Sequence, residues 1–438
     1  MPKDLGGIPH REGKTLMFLP SAPLKSQGPS TKASGKVFYN PAMAGSRTRS
    51  VLLLKYALRQ GLLGKGAVYA LDGLTASGLR ARRWLNELSP EEAERVSATI
   101  VDLEEEALRW AKASHSEFPP NHGKGLLESS MGDLRAEVLR SGRHWVDIDP
   151  YGSPMPFIDA AMQSMARSGV MEVSATDTAA LTGSSRTALM RRYGARVRTD
   201  SLSHDSGMRV MLANFARVAA RHDRSIEPLV SVWDSHHLRV SFRVLKSVSK
   251  ANELEGGIGW RVYAPTKEEV SASINAGFQH DSELSLLPMH CMLPLQYPID
   301  RLDSRVSGPL WVGPTGDRDA MASMSEELAL RTCGPEFSVD DPLEWDQRRV
   351  EVERRGVARS VRRISEESEV ISGSHLVVVD DLAAWLGTGA PPSPTRMVEI
   401  LREAGFDAGV SSYGRPSFRA IAPWEIIVDA AMSLQPPI

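Results

Sequence analysis

Apolar and polar residues follow two recurring patterns between Ser46 and about residue 248. Stretches with an apolar residue every three or four positions predict helices, and short apolar runs between them predict buried strands. The predicted helices are SRTRSVLLLKYALRQGL, SGLRARRWLNEL, EEEALRWAKASH, DLRAEVLRS and MPFIDAAMQSMA, and the predicted strands are GAVYALD, SATIVD, GLLESSM, HWVDID and GVMEVSAT. Because the two kinds of element alternate, the sequence predicts an α/β fold with a doubly wound parallel sheet.

The pattern also divides the chain into three segments. Residues 1–36 are rich in Pro, Gly, Ser and Lys, and much of this N-terminal arm is expected to lie over the surface. Residues 37–248 form the α/β domain, which ends in two extended runs, EPLVSVWD and HHLRVSFRVLK, expected to pair as an edge hairpin. Residues 249–438 are predicted to form an α+β C-terminal domain. Two short helices and a small hairpin around YGRPSF favour a winged-helix-like end, and residues 342–370 predict a long polar helix.

Composition narrows the functional classes. The 438-residue chain has a formal net charge of -2, so a nucleic-acid partner requires a local basic patch. The two cysteines, Cys291 and Cys333, form neither a CxxC pair nor a disulfide framework, which fits a reducing compartment and no metal site. No apolar run approaches the roughly 18 residues of a membrane span, and no secretion signal is recognisable. We expect a cytoplasmic protein with no membrane association.

Acidic residues mark the ends of three successive predicted strands. The first strand ends at Asp72 and turns through Gly73 and Gly78 into a helix, the second ends at Asp102, and the third is followed by Asp133. Ligands of open parallel sheets bind beyond these strand ends. Asp102 and Asp133 each have the alternative role of a helix N-cap, and the glycine-rich turn after Asp72 is often only a turn. Three acids together favour an adenosine-containing cofactor, and the missing phosphate-binding loop favours S-adenosylmethionine over NAD or a nucleoside triphosphate.

The fourth strand ends in Asp149-Pro150-Tyr151, which has the character of the loop that holds the substrate amine in amino-methyltransferases. The Asp149 carboxylate and the Pro150 carbonyl would accept the N–H bonds of an exocyclic amine and aim its lone pair at a methyl donor. Tyr151 would stack on a base flipped out of its helix. The alternative is an Asp-Pro turn with a surface tyrosine. Asp147 is expected to point the other way and to be structural.

Seven motifs, in order along most of the chain, resemble one known family. They are EGK (12–14), FYNPAM (38–43), Arg47 followed by SVLLL, LDGLTASGLRARR, DIDPYGSP, SATDTAALTG (174–183) and GPLWVGP (308–314). Together they resemble the archaeal-type tRNA (guanine-26 N2)-dimethyltransferases. The resemblance implies a class I (Rossmann-like) S-adenosylmethionine-dependent methyltransferase domain and a C-terminal tRNA-binding domain. It also implies methyl transfer to the exocyclic N2 of guanosine 26 of tRNA, giving mono- then dimethylguanosine.

The resemblance assigns roles to individual residues. The cofactor contacts that it implies fall on Arg47, Arg80, Asp102, Asp133 and Leu134. It places the catalytic acid at Asp149, with Phe38 and Tyr151 as the rings that sandwich the guanine. The cysteine-rich insert of some relatives is absent around MHCMLPLQYP, so no metal is implied.

Three arginine-rich segments are candidates for contacting tRNA. They are RRYGARVR (191–198), the helix from Asp346 to Arg363, and the winged-helix-like end with Arg396, Arg402, Arg415 and Arg419. Each has the alternative of being an ordinary solvated face. Thr176 and Asp177 are expected either to form the floor of the base pocket or to cap a helix. Two other functions stay open: an amino-methyltransferase acting on another RNA guanine or a DNA adenine, and a non-catalytic RNA-binding protein. No stable protein partner is implied.

Overall fold

The computed structural model describes residues 6–21, 37–120, 126–234, 236–279, 286–373 and 375–435. The strands, in chain order, are β1 (Ile8–Glu12), β2 (Thr15–Leu19), β3 (Val68–Gly73), β4 (Val96–Asp102), β5 (Leu126–Met131), β6 (Arg143–Ile148), β7 (Met165–Ala175), β8 (Arg224–Asp234), β9 (His237–Lys246), β10 (Ile258–Tyr263), β11 (His290–Pro294), β12 (Val306–Trp311), β13 (His375–Val378), β14 (Asp407–Val410) and β15 (Ser417–Ile421). The α-helices are α1 (Ala44–Arg59), α2 (Leu79–Glu87), α3 (Pro90–Glu94), α4 (Glu105–Glu117), α5 (Leu134–Glu137), α6 (Met155–Ser164), α7 (Thr178–Leu181), α8 (Arg186–Tyr193), α9 (Ser203–Arg221), α10 (Val248–Asn252), α11 (Lys267–Asn275), α12 (Arg318–Ala322), α13 (Glu326–Cys333), α14 (Gln347–Ser360), α15 (Ile364–Glu367), α16 (Val379–Leu386), α17 (Pro394–Glu403) and α18 (Trp424–Ser433).

A seven-stranded sheet is the centre of the fold, with strand order β5-β4-β3-β6-β7-β9-β8. Strands β3 to β7 pair in parallel, so the predicted doubly wound α/β fold is confirmed. The chain runs outward from β3 through β4 to β5 and then returns to β6 on the other side of β3. The order therefore reverses between β3 and β6, which is the point where such sheets bind ligands.

Helices α1 and α2 bury most of their residues beside this sheet. The run Val51–Leu54 of α1 is fully buried, which explains why SVLLL is apolar without a polar face. Trp84 of α2 and Trp145 of β6 are also fully buried, and their rings meet edge to face at 6.1 Å between centroids. The indole of Trp84 donates a hydrogen bond to the hydroxyl of Ser50 at 3.0 Å, so its polar atom is satisfied in the core.

The N-terminal arm contains an ordered hairpin. Strands β1 and β2 pair antiparallel, and the side chains of Met17, Phe18 and Leu19 are buried. The apolar piece Leu16–Leu19 of the predicted arm therefore belongs to strand β2. The rest of the predicted arm, residues 22–36, lies outside the described residues.

The long polar helix predicted over residues 342–370 is shorter in the structure. Helix α14 ends at Ser360, and Arg363 then adopts a left-handed conformation with φ of 67°. A non-glycine residue in that conformation cannot continue a right-handed helix. The remaining residues form the short helix α15 and a 3-10 turn at Ser368–Val370.

The end of the chain forms a small α+β module. Strand β15 lies between β13 and β14, pairing antiparallel with both, and α16 and α17 precede β14. Its core holds Leu382, Met397, Leu401, Phe418 and Ile427, all fully buried. The two helices and the hairpin around YGRPSF therefore match the predicted winged-helix-like arrangement, with β13 as an additional strand. A separate antiparallel sheet has the order β11-β10-β12.

The chain divides into two compact units. Unit 1 comprises Met1–Ser174, Phe242–Lys246 and Ser323–Arg362, and unit 2 comprises Ala175–Ser241, Ser247–Ala322 and Arg363–Ile438. Compact units need not coincide with independently stable domains. The domain boundaries at residues 36 and 248 stay a prediction, which limited proteolysis of the full chain would test.

Candidate active site at the strand ends of unit 1

Two buried carboxylates lie side by side at the centre of the parallel sheet. Asp72 of β3 and Asp147 of β6 are register partners, so their side chains point to the same face. Asp72 is 3% exposed and Asp147 is fully buried. Burial and the neighbouring charge of Asp147 raise the pKa of Asp72 to about 7. Oδ2 of Asp72 accepts hydrogen bonds from the hydroxyl of Thr75 at 2.7 Å and from the backbone N–H of Ala81 at 3.2 Å.

Arg80 of α2 connects two acids at the end of β6. Its Nε lies 3.2 Å from Oδ1 of Asp147, and its Nη2 lies 2.6 Å from Oδ2 of Asp149. The expectation that Asp147 points away from Asp149 is therefore wrong. The physical reason is strand alternation itself, because residues two apart in an extended chain project to the same side. Asp147 is part of the charged cluster that holds Arg80.

The loop between β3 and α2 is tight and conformationally unusual. Leu74 and Ala76 have positive φ angles of 62° and 50°, which non-glycine residues seldom adopt outside strained, often functional, turns. A Cβ atom at Gly73 would lie 2.7 Å from the side chain of Leu134 and 3.0 Å from the backbone oxygen of Asp147. Gly78 has a φ of 68°, and a Cβ there would lie 2.5 Å from Ala111. Both predicted glycines are required by packing, and they bring bare backbone to the strand end.

Asp102 fixes this loop from the neighbouring strand. Its Oδ2 accepts a hydrogen bond from the backbone N–H of Ala76 at 2.8 Å, and its Oδ1 accepts one from Glu104 at 3.0 Å. The second bond closes a short turn before α4, whose N-cap is Glu104 without a side-chain cap, so Asp102 does not have the alternative capping role. Since a carboxylate has about four acceptor positions, Asp102 keeps capacity for a ligand.

Asp133 and Leu134 lie at the end of β5. Asp133 accepts a hydrogen bond from the backbone N–H of Arg135 at the start of α5, so it has the N-cap role that was the alternative for this residue. The Arg135 guanidinium lies 2.5 Å from Asp133 and lowers the pKa of its carboxyl to about 2. The side chain of Leu134 is buried against Gly73. Asp133 is the exposed member of the strand-end acids.

The structure brings the two predicted aromatic rings together. Phe38 and Tyr151 have ring centroids 5.2 Å apart with an interplanar angle of 72°. Phe38 is half-buried, and Tyr151 is 61% exposed. The rings touch edge to face instead of lying parallel, so a base between them requires the rings to separate and turn.

Arg47 is held by an acid to which the sequence analysis gave no role. Glu12, from the EGK motif at the end of β1, accepts hydrogen bonds from Arg47 at 2.7 and 2.5 Å and from Arg83 at 2.9 Å. The hydroxyl of Tyr39 donates to the same carboxylate at 3.0 Å. Burial alone would raise the pKa of Glu12, but the two guanidinium groups lower it to about 2. The available signal was the position of Glu12 in the EGK motif, directly before the apolar strand β2.

Asp177 lies in unit 2, at the N-terminal end of α7. Its carboxylate accepts hydrogen bonds from the hydroxyl of Tyr193 at 2.9 Å and from Arg192 at 2.9 Å. It makes no side-chain capping bond to α7, so the capping alternative is not the role of Asp177.

The described residues contain neither a metal site nor a helix that could cross a membrane. Within residues 6–435, apart from the gaps given above, no group of three or more His, Cys, Asp or Glu side chains is arranged to hold a metal ion. Over the same residues, every helix is too short or too polar to cross a membrane.

Comparisons with known proteins agree with the sequence motifs. The family model for N2,N2-dimethylguanosine tRNA methyltransferase matches residues 21–432. A tRNA (guanine(26)-N(2))-dimethyltransferase from Aeropyrum pernix is 27% identical over 430 residues, which cover 97% of this chain and 96% of the relative. Another, from Methanocorpusculum labreanum, is 30% identical over 333 residues, which cover 76% and 78%.

A solved structure has the same fold. Trm1 from Pyrococcus horikoshii, in complex with S-adenosyl-L-methionine, aligns with a TM-score of 0.71 at 20% identity, covering 97% of this chain and 99% of that one. The alignment therefore includes both the class I sheet and the C-terminal module. The family match spans the β3 loop, the end of β6 and the winged-helix-like end. The resemblance inferred from the motifs is confirmed, and the chain belongs to the N2,N2-dimethylguanosine tRNA methyltransferase family.

Proposed function

We propose that this protein transfers methyl groups from S-adenosylmethionine to the exocyclic N2 of guanosine 26 in tRNA, giving mono- and then dimethylguanosine. The observation that carries the proposal is the position of Asp149 at the end of β6, next to Arg80 and followed by a ring that contacts Phe38. Curated relatives with this activity in their names align with nearly the whole chain. The free thiols Cys291 and Cys333 fit action in the reducing cytoplasm.

The strand ends of unit 1 fit an adenosine-containing methyl donor. Gly73 and Gly78 allow the tight turn between β3 and α2, and Asp102 retains acceptor capacity for ribose hydroxyls. Asp133 is exposed at the end of β5, where the family places contacts to the cofactor. S-adenosylmethionine bound there supplies an electrophilic methyl group on a sulfonium. Asp72, Arg80 and Leu134 complete the proposed site, with Leu134 acting through its packing on Gly73.

Arg47 has a different proposed role from the one implied by the resemblance. Its guanidinium is buried in the ion pair with Glu12, which also accepts from Tyr39. Since Tyr39 follows Phe38 in the chain, Arg47 fixes the segment that presents the Phe38 ring. We therefore assign Arg47 to positioning, in addition to any contact with the cofactor.

Asp149 activates the amine. The N2 group of guanine is a poor nucleophile because its lone pair is delocalised into the ring. The Asp149 carboxylate and the Pro150 carbonyl would accept its two N–H bonds, which localises the lone pair and directs it at the methyl carbon. A new N–C bond forms as the bond from that carbon to sulfur breaks, and the nitrogen then loses one proton toward Asp149. Arg80 can stay paired with Asp149 while the amine binds, because the carboxylate has several acceptor positions.

Phe38 and Tyr151 hold the base. Guanosine 26 must leave the tRNA stack before its amine can reach Asp149, and flipped bases are stabilised by aromatic stacking. Opening the edge-to-face contact between the two rings would admit the guanine between them. A second cycle requires a new S-adenosylmethionine in place of the demethylated donor and loss of the proton from Asp149 to solvent. Rotation about the C2–N2 bond then returns the remaining N–H to Asp149.

A direct assay tests the proposal. The protein is incubated with methyl-labelled S-adenosylmethionine and tRNA transcripts that carry G or A at position 26, and the nucleosides are identified after digestion. We expect labelled mono- and dimethylguanosine from the G26 transcript alone. Equal labelling of the A26 transcript would refute the position, and label in a DNA adenine substrate would favour the other amino-methyltransferase. RNA binding without any transfer would favour the non-catalytic alternative.

A further inference from the structure

We propose that the solvent-facing arginines of α14 form the surface with which unit 1 binds the tRNA backbone. The sequence offers three arginine-rich segments and no way to choose between them. The structure distinguishes them by which guanidinium groups are already engaged in contacts within the protein. This inference rests on the proposed function for the identity of the RNA, but not for the existence of the surface.

Three arginines of α14 form one stripe. Arg348, Arg355 and Arg359 are separated by seven and four residues, which is two turns and one turn of an α-helix, so their side chains share one face. All three are exposed. Val350 and Val357 are 3% exposed and lie on the opposite face. The apolar face thus fixes the helix in unit 1 and leaves the cationic stripe in solvent.

None of these three side chains has an ion-pair or hydrogen-bond partner among the described residues. Exposed arginines of helical surfaces commonly pair with acids one turn away, as Arg109 does with Glu106 at 2.8 Å in α4. The stripe therefore carries three guanidinium groups without a direct partner. The exposed Glu351 lies one turn from both Arg348 and Arg355, so this face keeps a net charge of +2 in a chain whose net charge is -2. Such a local concentration of charge is what binding a phosphate backbone requires.

The winged-helix-like end is a weaker candidate. Arg396 pairs with Glu399, the Nε of Arg402 donates to the backbone oxygen of Ala408 at 2.7 Å, and Arg419 is buried against Glu367 at 3.1 Å. Only Arg415 of this group is both exposed and unpaired among the described residues. Most arginines of this segment therefore stabilise the module itself.

The RRYGARVR segment is intermediate. Arg192 pairs with Asp177 at 2.9 Å, and Arg198 lies over the ring of Tyr263 and contacts Asp200. Arg191 and Arg196 are exposed. Two of the four guanidinium groups in this segment are therefore available to bind RNA, and both lie in unit 2.

The first turn of α14 borders an open cavity. The cavity has a volume of about 330 Å³, and its lining includes His10, Trp345 and Arg349. Pockets of this size accommodate small ligands, and exposed bases of RNA stack on aromatic rings and guanidinium planes. Two guanidinium groups lie over the Trp345 ring, Arg11 at 4.9 Å and the exposed Arg349 at 5.1 Å from its centroid. A base would stack on this ring by displacing Arg349. A ring and a cation therefore stand at one end of the arginine stripe.

Contacts within unit 1 connect α14 to the proposed base pocket. Glu353 of α14 accepts a hydrogen bond from the backbone N–H of Gly13 at 3.0 Å, directly after Glu12. His10, which lines the cavity, lies 2.9 Å from the hydroxyl of Tyr39, the residue after Phe38. RNA held by α14 and the cavity would thus lie against the segment that presents Phe38.

The test compares two triple variants that lose the same charge. Arg348→Gln, Arg355→Gln and Arg359→Gln are combined in one, and Arg191→Gln, Arg196→Gln and Arg415→Gln of unit 2 in the other. Affinity for a tRNA transcript is measured at several salt concentrations. We expect the α14 variant to lose roughly tenfold or more in affinity, and its dependence of log K on log salt to fall by about two to three. The corresponding Lys triple in α14 should restore the salt dependence.

The outcomes separate the surface from the proposed function. An α14 variant that binds like the wild type, or a unit 2 variant with an equal or larger loss, overturns the surface. S-adenosylmethionine affinity is measured on every variant and should not change, which excludes misfolding. If the wild type methylates no tRNA yet the α14 variant loses RNA affinity, the surface stands and the proposed function fails.

Trp345 provides an independent readout. Trp345→Leu removes the ring and should weaken RNA binding with an unchanged salt dependence, because stacking releases no counterions. Trp345→Phe keeps a ring and should retain most of the affinity. Equal losses in both variants, or none in either, would remove the cavity from the proposed surface.

Discussion

The guanidinium of Arg80 lies 2.6 Å from the carboxylate of Asp149, while its Nε lies 3.2 Å from Asp147. One cation therefore sets the position of the acid that we assign to the chemistry. Because Asp147 and Arg80 are both almost fully buried, the position of Asp149 is inherited from the sheet and not from the loop that follows it.

Replacing Arg80 should therefore damage turnover more than binding. In Arg80→Lys the positive charge remains, but an ammonium lacks the planar guanidinium that contacts Asp147 and Asp149 at the same time. We expect kcat for methyl transfer to fall roughly 100-fold, since displacing a reacting group by about 1 Å costs that much. Single-turnover transfer, tRNA affinity and thermal unfolding are measured together. A variant with normal kcat and raised KM would show that Arg80 only binds substrate.

Asp149 itself is expected to be dispensable for binding. Asp149→Asn keeps the size of the side chain but presents an N–H group and no charge to the amine. We expect transfer to fall by about two to three orders of magnitude, the loss typical of removing one preorganised electrostatic contact. Equilibrium binding of S-adenosylmethionine and tRNA should stay within a few-fold of wild type. Near-normal turnover would exclude Asp149 from the mechanism.

Phe38 and Tyr151 should contribute to activity through stacking of their rings on the guanine. Base stacking on an aromatic side chain contributes about 1–3 kcal/mol, so Phe38→Leu and Tyr151→Leu should each lower kcat/KM about tenfold or more. Tyr151→Phe removes only the hydroxyl and serves as the matched control, with expected activity close to wild type. If Tyr151→Phe were as impaired as Tyr151→Leu, the hydroxyl and not the ring would be the functional group.

The pKa of Asp72 makes a prediction about stability and pH. Burial and Asp147 raise it to about 7 from a reference value of 3.8, so the folded protein binds more protons than the unfolded chain between these values. The free energy of unfolding should fall as pH rises through this window. Asp72→Asn removes the effect, and its carbonyl oxygen can keep the bonds from Thr75 and Ala81, which both go to Oδ2.

Urea denaturation at pH 5 and pH 8 measures the difference. Between these pH values, wild type should lose a few kcal/mol more than Asp72→Asn. If the free energy of unfolding changed by the same amount between pH 5 and pH 8 in both proteins, Asp72 would be ionised in the folded state throughout. S-adenosylmethionine affinity of the variant shows separately whether the carboxylate contributes to binding.

The sequence was sufficient to predict that these acids lie near one another, because strand ends in a parallel sheet converge. Asp72, Asp102 and Asp149 each follow an apolar run, and a doubly wound sheet places such residues at one edge whatever their partners are. The ion pairs between these and other side chains could not be predicted in this way. The ion pair of Arg47 joins it to Glu12, 35 positions earlier, and the bridge of Arg80 to Asp149 spans 69 positions.

The miss at Asp147 has a different origin. The information was present, since the two-residue period of a strand places Asp147 and Asp149 on one side.

The end of α14 could not be predicted from the sequence in the same way. The polar sequence continues past Ser360 with good helix formers, and only the left-handed backbone of Arg363 in the folded chain ends it. Local helix propensity does not predict that conformation, because arginine is a good helix former.

Glu12 is expected to be the main electrostatic support of the N-terminal hairpin. Its pKa is lowered to about 2 from 4.5, so it contributes stability above pH 4.5 that is lost as pH falls toward 2. Glu12→Gln leaves Arg47 and Arg83 buried with one charge fewer between them, and we expect a loss of about 3 kcal/mol at pH 7. Thermal or urea unfolding measures this loss, and the difference in the free energy of unfolding from wild type should narrow as pH falls from 4.5 to 2.

Glu353→Gln is the matched control, because burial raises the pKa of Glu353 and its bond to Gly13 needs no charge. A gap for Glu12→Gln that stayed constant with pH would mean that the hairpin is held by packing of Met17 and Leu19 and not by the ion pair.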